Sequence, residues 1–238
     1  MNVFLQNRCL VCHEVISPSI GWKAIFSVEH EHHICSLCEG KLEKMDGDQC
    51  QICSRPFNQI DDKFRNGDVC QDCYRWEEDP KWQGTLGKNH SLFHYNDFLK
   101  EVIATFKFRG DYVLAKIFSE RFKEKINEIR PDLLVPIPLS EERQYERGFN
   151  QAAALLTESG FSPANLLTRF HSEKQSKKSR SERIHLPQVF QVNPDVNVTG
   201  KKILLIDDIY TTGSTLRHAA KPLKEAGADS LHSLTLAR

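Results

Sequence analysis

The 238-residue sequence contains no apolar run long enough to cross a bilayer. Its longest, Leu133–Leu139 and Ile203–Ile206, fall far short of the roughly 20 residues that a membrane-spanning helix needs, so no membrane span is expected. Met1–Cys12 lacks the basic start and long apolar stretch of a secretory signal peptide. There is no excess of either charge, with 32 Lys+Arg against 32 Asp+Glu, which excludes a basic nucleic-acid tail and an acidic disordered chain. Neither a G-K-[ST] phosphate loop nor a G-x-G-x-x-G fingerprint occurs. These absences leave a soluble, cytoplasmic protein. Its hydrophobic fraction of 39% suffices for a packed core, and its length allows one or two domains.

The last absence is positional, because no cysteine follows Cys73. All eight stand in the first 80 residues, where 8 basic and 14 acidic side chains give −6; residues 81–238 carry the compensating +6. Two units of different physics are expected, over residues 1–80 and 88–238. The cysteines form four C-x-x-C turns, Cys9–Cys12, Cys35–Cys38, Cys50–Cys53 and Cys70–Cys73, separated by 22, 11 and 16 residues. Zn²⁺ takes four tetrahedral ligands, and each such turn offers two thiolates to one side of it. Eight cysteines therefore suggest two structural zinc ions. Four disulfides fit a reducing compartment poorly, and no strand precedes the turns as a thioredoxin-like pair would need. Sequential pairing would build two stacked ribbons and interleaved pairing a cross-braced module; the gaps of 22 and 16 favour the first. His30, His32 and His33 read as solvated loop residues. With few Ile, Leu or Val here, metal must supply much of the folding energy.

From Ser91 onward helix and strand periods alternate, which argues an α/β fold with a mostly parallel sheet. Strands are expected at Ser91–Tyr95, Leu133–Pro138, Val189–Val192, Ile203–Ile206 and Leu231–Leu236. Helices are expected after an Asn96 cap, over Tyr112–Ile129, around Phe149–Leu156 and around Leu216–Leu223. Ile203–Ile206 reads as a central strand buried on both faces. Pro222 predicts a kink or a shorter last helix.

The strongest chemical signal is the segment from Leu204 to Thr215. A buried strand ends in Asp207 and Asp208, and a loop of Thr211, Thr212, Gly213, Ser214 and Thr215 opens a helix. Carboxyl ends of central strands are where α/β sheets bind ligands. Backbone N–H groups of a glycine-containing loop at a helix N-terminus hold anions. Two carboxylates beside a phosphate need another task, and accepting hydrogen bonds from a ribose cis-diol is one. The plainer alternative is a strand-end turn with a helix cap.

This segment resembles the loop of type I phosphoribosyltransferases that binds phosphoribosyl pyrophosphate (PRPP). Together with the four C-x-x-C turns, Lys107–Asp111, Pro136–Pro138, Arg147–Gln151 and Gln175–Arg183, the chain resembles the ComF family of late-competence proteins. The resemblance implies a double zinc ribbon joined to a phosphoribosyltransferase-like domain, and a role in uptake of single-stranded transforming DNA beside a competence helicase. It also implies that Asp207 and Asp208 contact the ribose and that Thr211–Thr215 cradle the 5′-phosphate. Arg143, Arg147 and Lys107 would face pyrophosphate, and Mg²⁺ would accompany PRPP. Phe170–Arg183 would be a hood over the substrate, or else a polyanion patch in which Lys174, Lys177, Lys178 and Arg180 meet single-stranded DNA. Purine-salvage relatives carry an aspartate where Thr211 stands, so no catalytic base and no acceptor are identified. Both an Mg²⁺-dependent transferase and a non-catalytic PRPP- or nucleotide-sensing adaptor remain open. A zinc-finger DNA reader fits worst. Two four-thiolate zinc centres would take residues 1–80 to about −10, so that unit should dock a protein rather than DNA.

Overall fold

The computed structural model describes residues 7–16, 32–108, 111–170 and 189–238. The cysteine-bearing part is small and poor in regular structure. It contains a one-turn helix α1 (Ser36–Glu39), a two-residue hairpin of β1 (Arg65–Asn66) and β2 (Val69–Cys70), and α2 (Gln71–Glu78).

The sheet begins with β3 (Asn89–Phe93). Asn96 caps the next helix as expected, its Oδ1 accepting from Leu99 N at 2.9 Å. Leu99, Val102, Ile103 and Phe106 form the buried face of α3 (Asp97–Phe108). The single helix expected over Tyr112–Ile129 is divided. Tyr112–Phe118 winds as a 3-10 helix and only α4 (Ser119–Ile129) is α-helical. Aromatic and β-branched residues crowd that first stretch and lose rotamer freedom in an α-helix. The tighter winding still buries Leu114, Ala115 and Phe118.

β4 (Leu133–Pro136) leads to α5 (Glu141–Arg147), capped by Ser140, and then to α6 (Gln151–Glu158), capped by Asn150. The strand expected near Val189 is β6 (Phe190–Val192), and its antiparallel partner β5 (Leu167–Arg169) was not anticipated. β7 (Lys202–Ile209), α7 (Ser214–Glu225) and β8 (Ser230–Ala237) complete the chain. Pro222 does not shorten α7, which runs three residues beyond it. Its missing N–H forfeits the one bond to the His218 carbonyl, and its ring is buried.

The four strands lie in the order β3-β8-β7-β4, and every pair is parallel. β7 is central and buried on both faces. Leu204 and Ile206 join a core formed by α3, the 3-10 stretch, α4 and α6. Ile203 and Leu205 join a second core that holds α7 and the β5–β6 pair. Cys50, Cys53, Cys70 and Cys73 belong to this second core, in contact with the same cluster as Tyr210, Leu216 and Leu223. Main-chain bonds reinforce the junction: Asn89 N to the Ile52 carbonyl at 2.6 Å, Met45 N to Leu92 at 3.0 Å, and His94 N to Glu43 at 2.8 Å. No helix of the described residues is long and apolar enough to cross a membrane.

Candidate functional site

The eight thiols gather in two groups, Cys9/Cys12/Cys35/Cys38 and Cys50/Cys53/Cys70/Cys73, and within each all sulfurs lie within 4.8 Å of one another. The grouping is sequential. Each group joins a tight turn to a helix start. His13 and Ser54, which follow the turns, adopt left-handed φ of 63° and 59°, while Cys35 and Cys70 are the N-caps of α1 and α2. Cys12 and Cys35 sulfurs are 3.7 Å apart and those of Cys53 and Cys70 3.6 Å. A tetrahedron with metal–sulfur bonds of about 2.3 Å has edges of about 3.8 Å, so the donor set fits zinc. The second group is wholly buried, and Cys50 Sγ accepts from Cys70 N at 3.2 Å. Its thiols perturb one another: hydrogen bonds from Cys53 and Cys70 drive the Cys50 pKa far down, while bonding to Cys50 and Cys53 drives that of Cys73 far up. Four such groups ionise together only around a cation, and each quartet can hold one zinc ion. Neither quartet contains a histidine; His30 lies outside the described residues.

In the same sheet, β7 carries Asp207 and Asp208 at its carboxyl end. Alternation sends the two side chains to different faces. Asp208 forms an ion pair with Lys107 of α3, Oδ2 to Nζ 2.8 Å, with both side chains largely buried. Lys107 is thereby a counter-ion of the diacid. Asp207 receives the Asp208 N–H at 2.9 Å. Burial and the neighbouring Asp208 charge push its pKa up to about 7, against the pull of Lys107 and Arg169.

The sign of this shift gives a test. A carboxyl that binds its proton more tightly when folded costs stability above pH 7, and the cost fades as pH falls towards about 4, where the unfolded chain is protonated too. Asp207→Asn should therefore raise Tm at pH 8 by about 5 °C and leave it unchanged near pH 4, read by calorimetry. An equal gain at both pH values would show that the charge is not the cause.

After Tyr210 the chain turns through Thr211–Gly213 into α7. Gly213 is the N-cap, with φ +75°. Thr211 and Thr215 are exposed, Thr212 and Ser214 half-buried. Arg147, at the end of α5, is half-buried, donates to Gln151 Oε1 at 2.9 Å and stacks over Phe108 at 5.7 Å. Its buried Nε has no partner among the described residues. Burial lowers its pKa, and the charges of Asp208 and Asp207 oppose that. Arg143 is exposed on the same helix.

One basic residue escaped sequence reasoning. Arg169 ends β5 and stacks on Phe190 at 5.5 Å; burial and the Arg143 charge lower its pKa, and Asp207 raises it. Only its place just before Phe170–Arg183 could have drawn notice. Lys107, Arg147 and Arg169 thus all feel the charge of the diacid. Of the expected hood and DNA-contact residues, Lys174, Lys177, Lys178 and Arg180 lie outside the described residues, as does the rest of 171–188 and the Arg109–Gly110 pair.

A phosphoribosyl transferase domain family matches residues 149–238, which include the diacid and its loop. The chain is 40% identical over 235 residues to Competence protein ComFC of Bacillus subtilis, covering 97% of this chain and 94% of that one. It is 32% identical over 232 residues to Competence protein ComFC of Streptococcus pneumoniae, covering 97% and 100%. With the DNA utilization protein YhgH of Escherichia coli it shares 26% identity over 236 residues, covering 93% and 97%. Similarity of this strength, carried along nearly the whole chain and joined to a phosphoribosyltransferase-type parallel sheet beside two four-cysteine groups, shows that the chain belongs to the ComFC family of competence proteins.

Proposed function

We propose that the chain binds PRPP with Mg²⁺ at the carboxyl end of β7 and serves the uptake and processing of single-stranded transforming DNA in the cytoplasm. One observation carries the ligand reading: a half-buried diacid and a glycine-capped hydroxyl loop share one strand end, with Lys107 paired to Asp208 and Arg147 and Arg169 near enough to feel the diacid's charge. In this reading Asp207 and Asp208 accept from the ribose hydroxyls. Thr211–Thr215 hold the 5′-phosphate, and Arg143 and Arg147 fork onto pyrophosphate oxygens. Mg²⁺ would arrive with the pyrophosphate and offset its charge. Residues 1–80 form the double-zinc unit and 88–238 the ligand-binding unit. The competence and DNA-utilization names of the relatives support the DNA role; the protein partner proposed for the zinc unit is a competence helicase, as the family resemblance implies.

Thr211 favours a second reading. Its hydroxyl is no base near neutral pH, so the site fits ligand sensing as an adaptor as well as transfer to an acceptor. Pyrophosphate release from PRPP across a panel of acceptors separates the two.

Binding itself is tested by melting. A ligand present at about 100 times its Kd stabilises the folded state by about 2.7 kcal/mol, which for a chain of this size is a rise of about 5–10 °C. Mg²⁺–PRPP should produce that rise in the wild type. Asp207→Asn combined with Asp208→Asn should show no rise with ligand over its own ligand-free melting temperature. A full rise in the double variant would place the ribose elsewhere.

A further inference from the structure

Resting on the PRPP reading, we propose that Trp76 of the second cysteine group is a positioning residue for the ligand loop, so that zinc in that group and PRPP on the loop bind cooperatively. Helix α2 starts at Cys70 and contains Cys73, and Trp76 lies one turn further along the same helix face. A metal ion held by Cys70 and Cys73 therefore fixes the direction in which Trp76 leaves the helix. Trp76 Nε1 donates to the Thr212 carbonyl at 3.0 Å, 136 residues away in sequence. Arg238 Nη1 donates to the two preceding carbonyls, Tyr210 at 3.1 Å and Thr211 at 2.8 Å. Three successive carbonyls are thus tied, the first two to Arg238 and the third to α2.

Peptide groups are planar, and none is cis here, so each tied carbonyl aims the following N–H the opposite way. The Thr211 and Thr212 N–H groups are left facing away from Arg238 and that of Gly213 away from Trp76 of α2, with no protein acceptor among the described residues. Successive N–H groups presented this way form an anion nest. Beneath them the fully buried Arg217 reaches Tyr210 Oη at 2.8 Å and Glu77 Oε1 at 3.5 Å, and stacks on Trp76 at 5.0 Å. From the thiolate-bearing helix to the loop the contacts run through Trp76 directly to Thr212, and through Trp76 and Glu77 to Arg217 and Tyr210. Coupling of this kind is reciprocal.

The test uses the full-length protein with both zinc ions. Trp76→Phe keeps the ring against Arg217 and Trp82 and removes only the N–H. It should retain two zinc ions per chain by elemental analysis, while the Kd for Mg²⁺–PRPP in titration calorimetry rises about tenfold, the loss of one hydrogen bond. A purely packing role would lower Tm and leave that Kd unchanged. In the wild type, saturating PRPP should slow chelator-driven zinc loss, followed by a colorimetric zinc dye, and the protection should shrink in Trp76→Phe. An unchanged Kd, or zinc loss indifferent to PRPP in a wild type that binds it, overturns the coupling alone. A wild type that shows no PRPP binding overturns the coupling together with the reading beneath it.

Discussion

Cys50→Ser should leave one zinc ion per chain and lower Tm by about 15 °C or more, because a structural zinc site contributes on the order of 10 kcal/mol. Cys50 is completely buried, and its sulfur accepts the Cys70 N–H that opens α2. Its group shares a core with Leu205, Tyr210 and Leu216, so the damage should spread beyond the first 80 residues into the sheet. Arg55 adds to the effect. It pairs with Asp72 at 3.0 Å and feels the charges of Cys70 and Cys53, a guanidinium placed to offset a four-thiolate centre. Cys12→Ser should also cost one zinc ion but less Tm, since Cys12 is exposed. Elemental analysis and calorimetry read both variants. Two zinc ions retained in Cys50→Ser would show that the second group is not a four-thiolate site.

Gly213→Ala should abolish the PRPP-induced rise in Tm and cost the free protein about 5–10 °C. A φ of +75° already disfavours any residue with a Cβ. A Cβ there would run into the Tyr210 hydroxyl, 2.5 Å from Tyr210 Cζ and 2.7 Å from Arg217 Nη1. Those atoms are not free ends, because Tyr210 and Arg217 hold each other beneath the loop. The backbone must shift instead, which misplaces the N–H groups meant for the phosphate. Melting curves with and without Mg²⁺–PRPP decide it, and a wild-type ligand shift in Gly213→Ala would remove this loop from the binding site.

Much of the frame is legible in the sequence because it rests on local pattern. Four consecutive apolar residues marked β7 as a strand buried on both faces, Asn96 announced α3, and cysteine spacing announced two quartets. Asp207, Asp208 and the hydroxyl loop stand next to each other in the chain, so their shared place at a strand end needed no tertiary knowledge. Other features could not be read this way. Tyr112–Phe118 has an apolar spacing that suits an α-helix, and that spacing masks the aromatic and β-branched crowding with which it winds as 3-10. β5 is three residues long and is a strand only because β6 pairs with it. Lys107 meets Asp208 across 100 residues, Arg169 approaches Asp207 from another hairpin, and Trp76 and Arg238 brace the loop from two further segments. Periodicity and spacing report what neighbours in the chain do, over about one helical turn or a few strand residues. The sequence alone thus determined the α/β plan, the two cysteine quartets and the diacid loop. Only the tertiary structure joined the second cysteine group to that loop, since a hydrogen bond between residues 136 positions apart leaves no local mark on either.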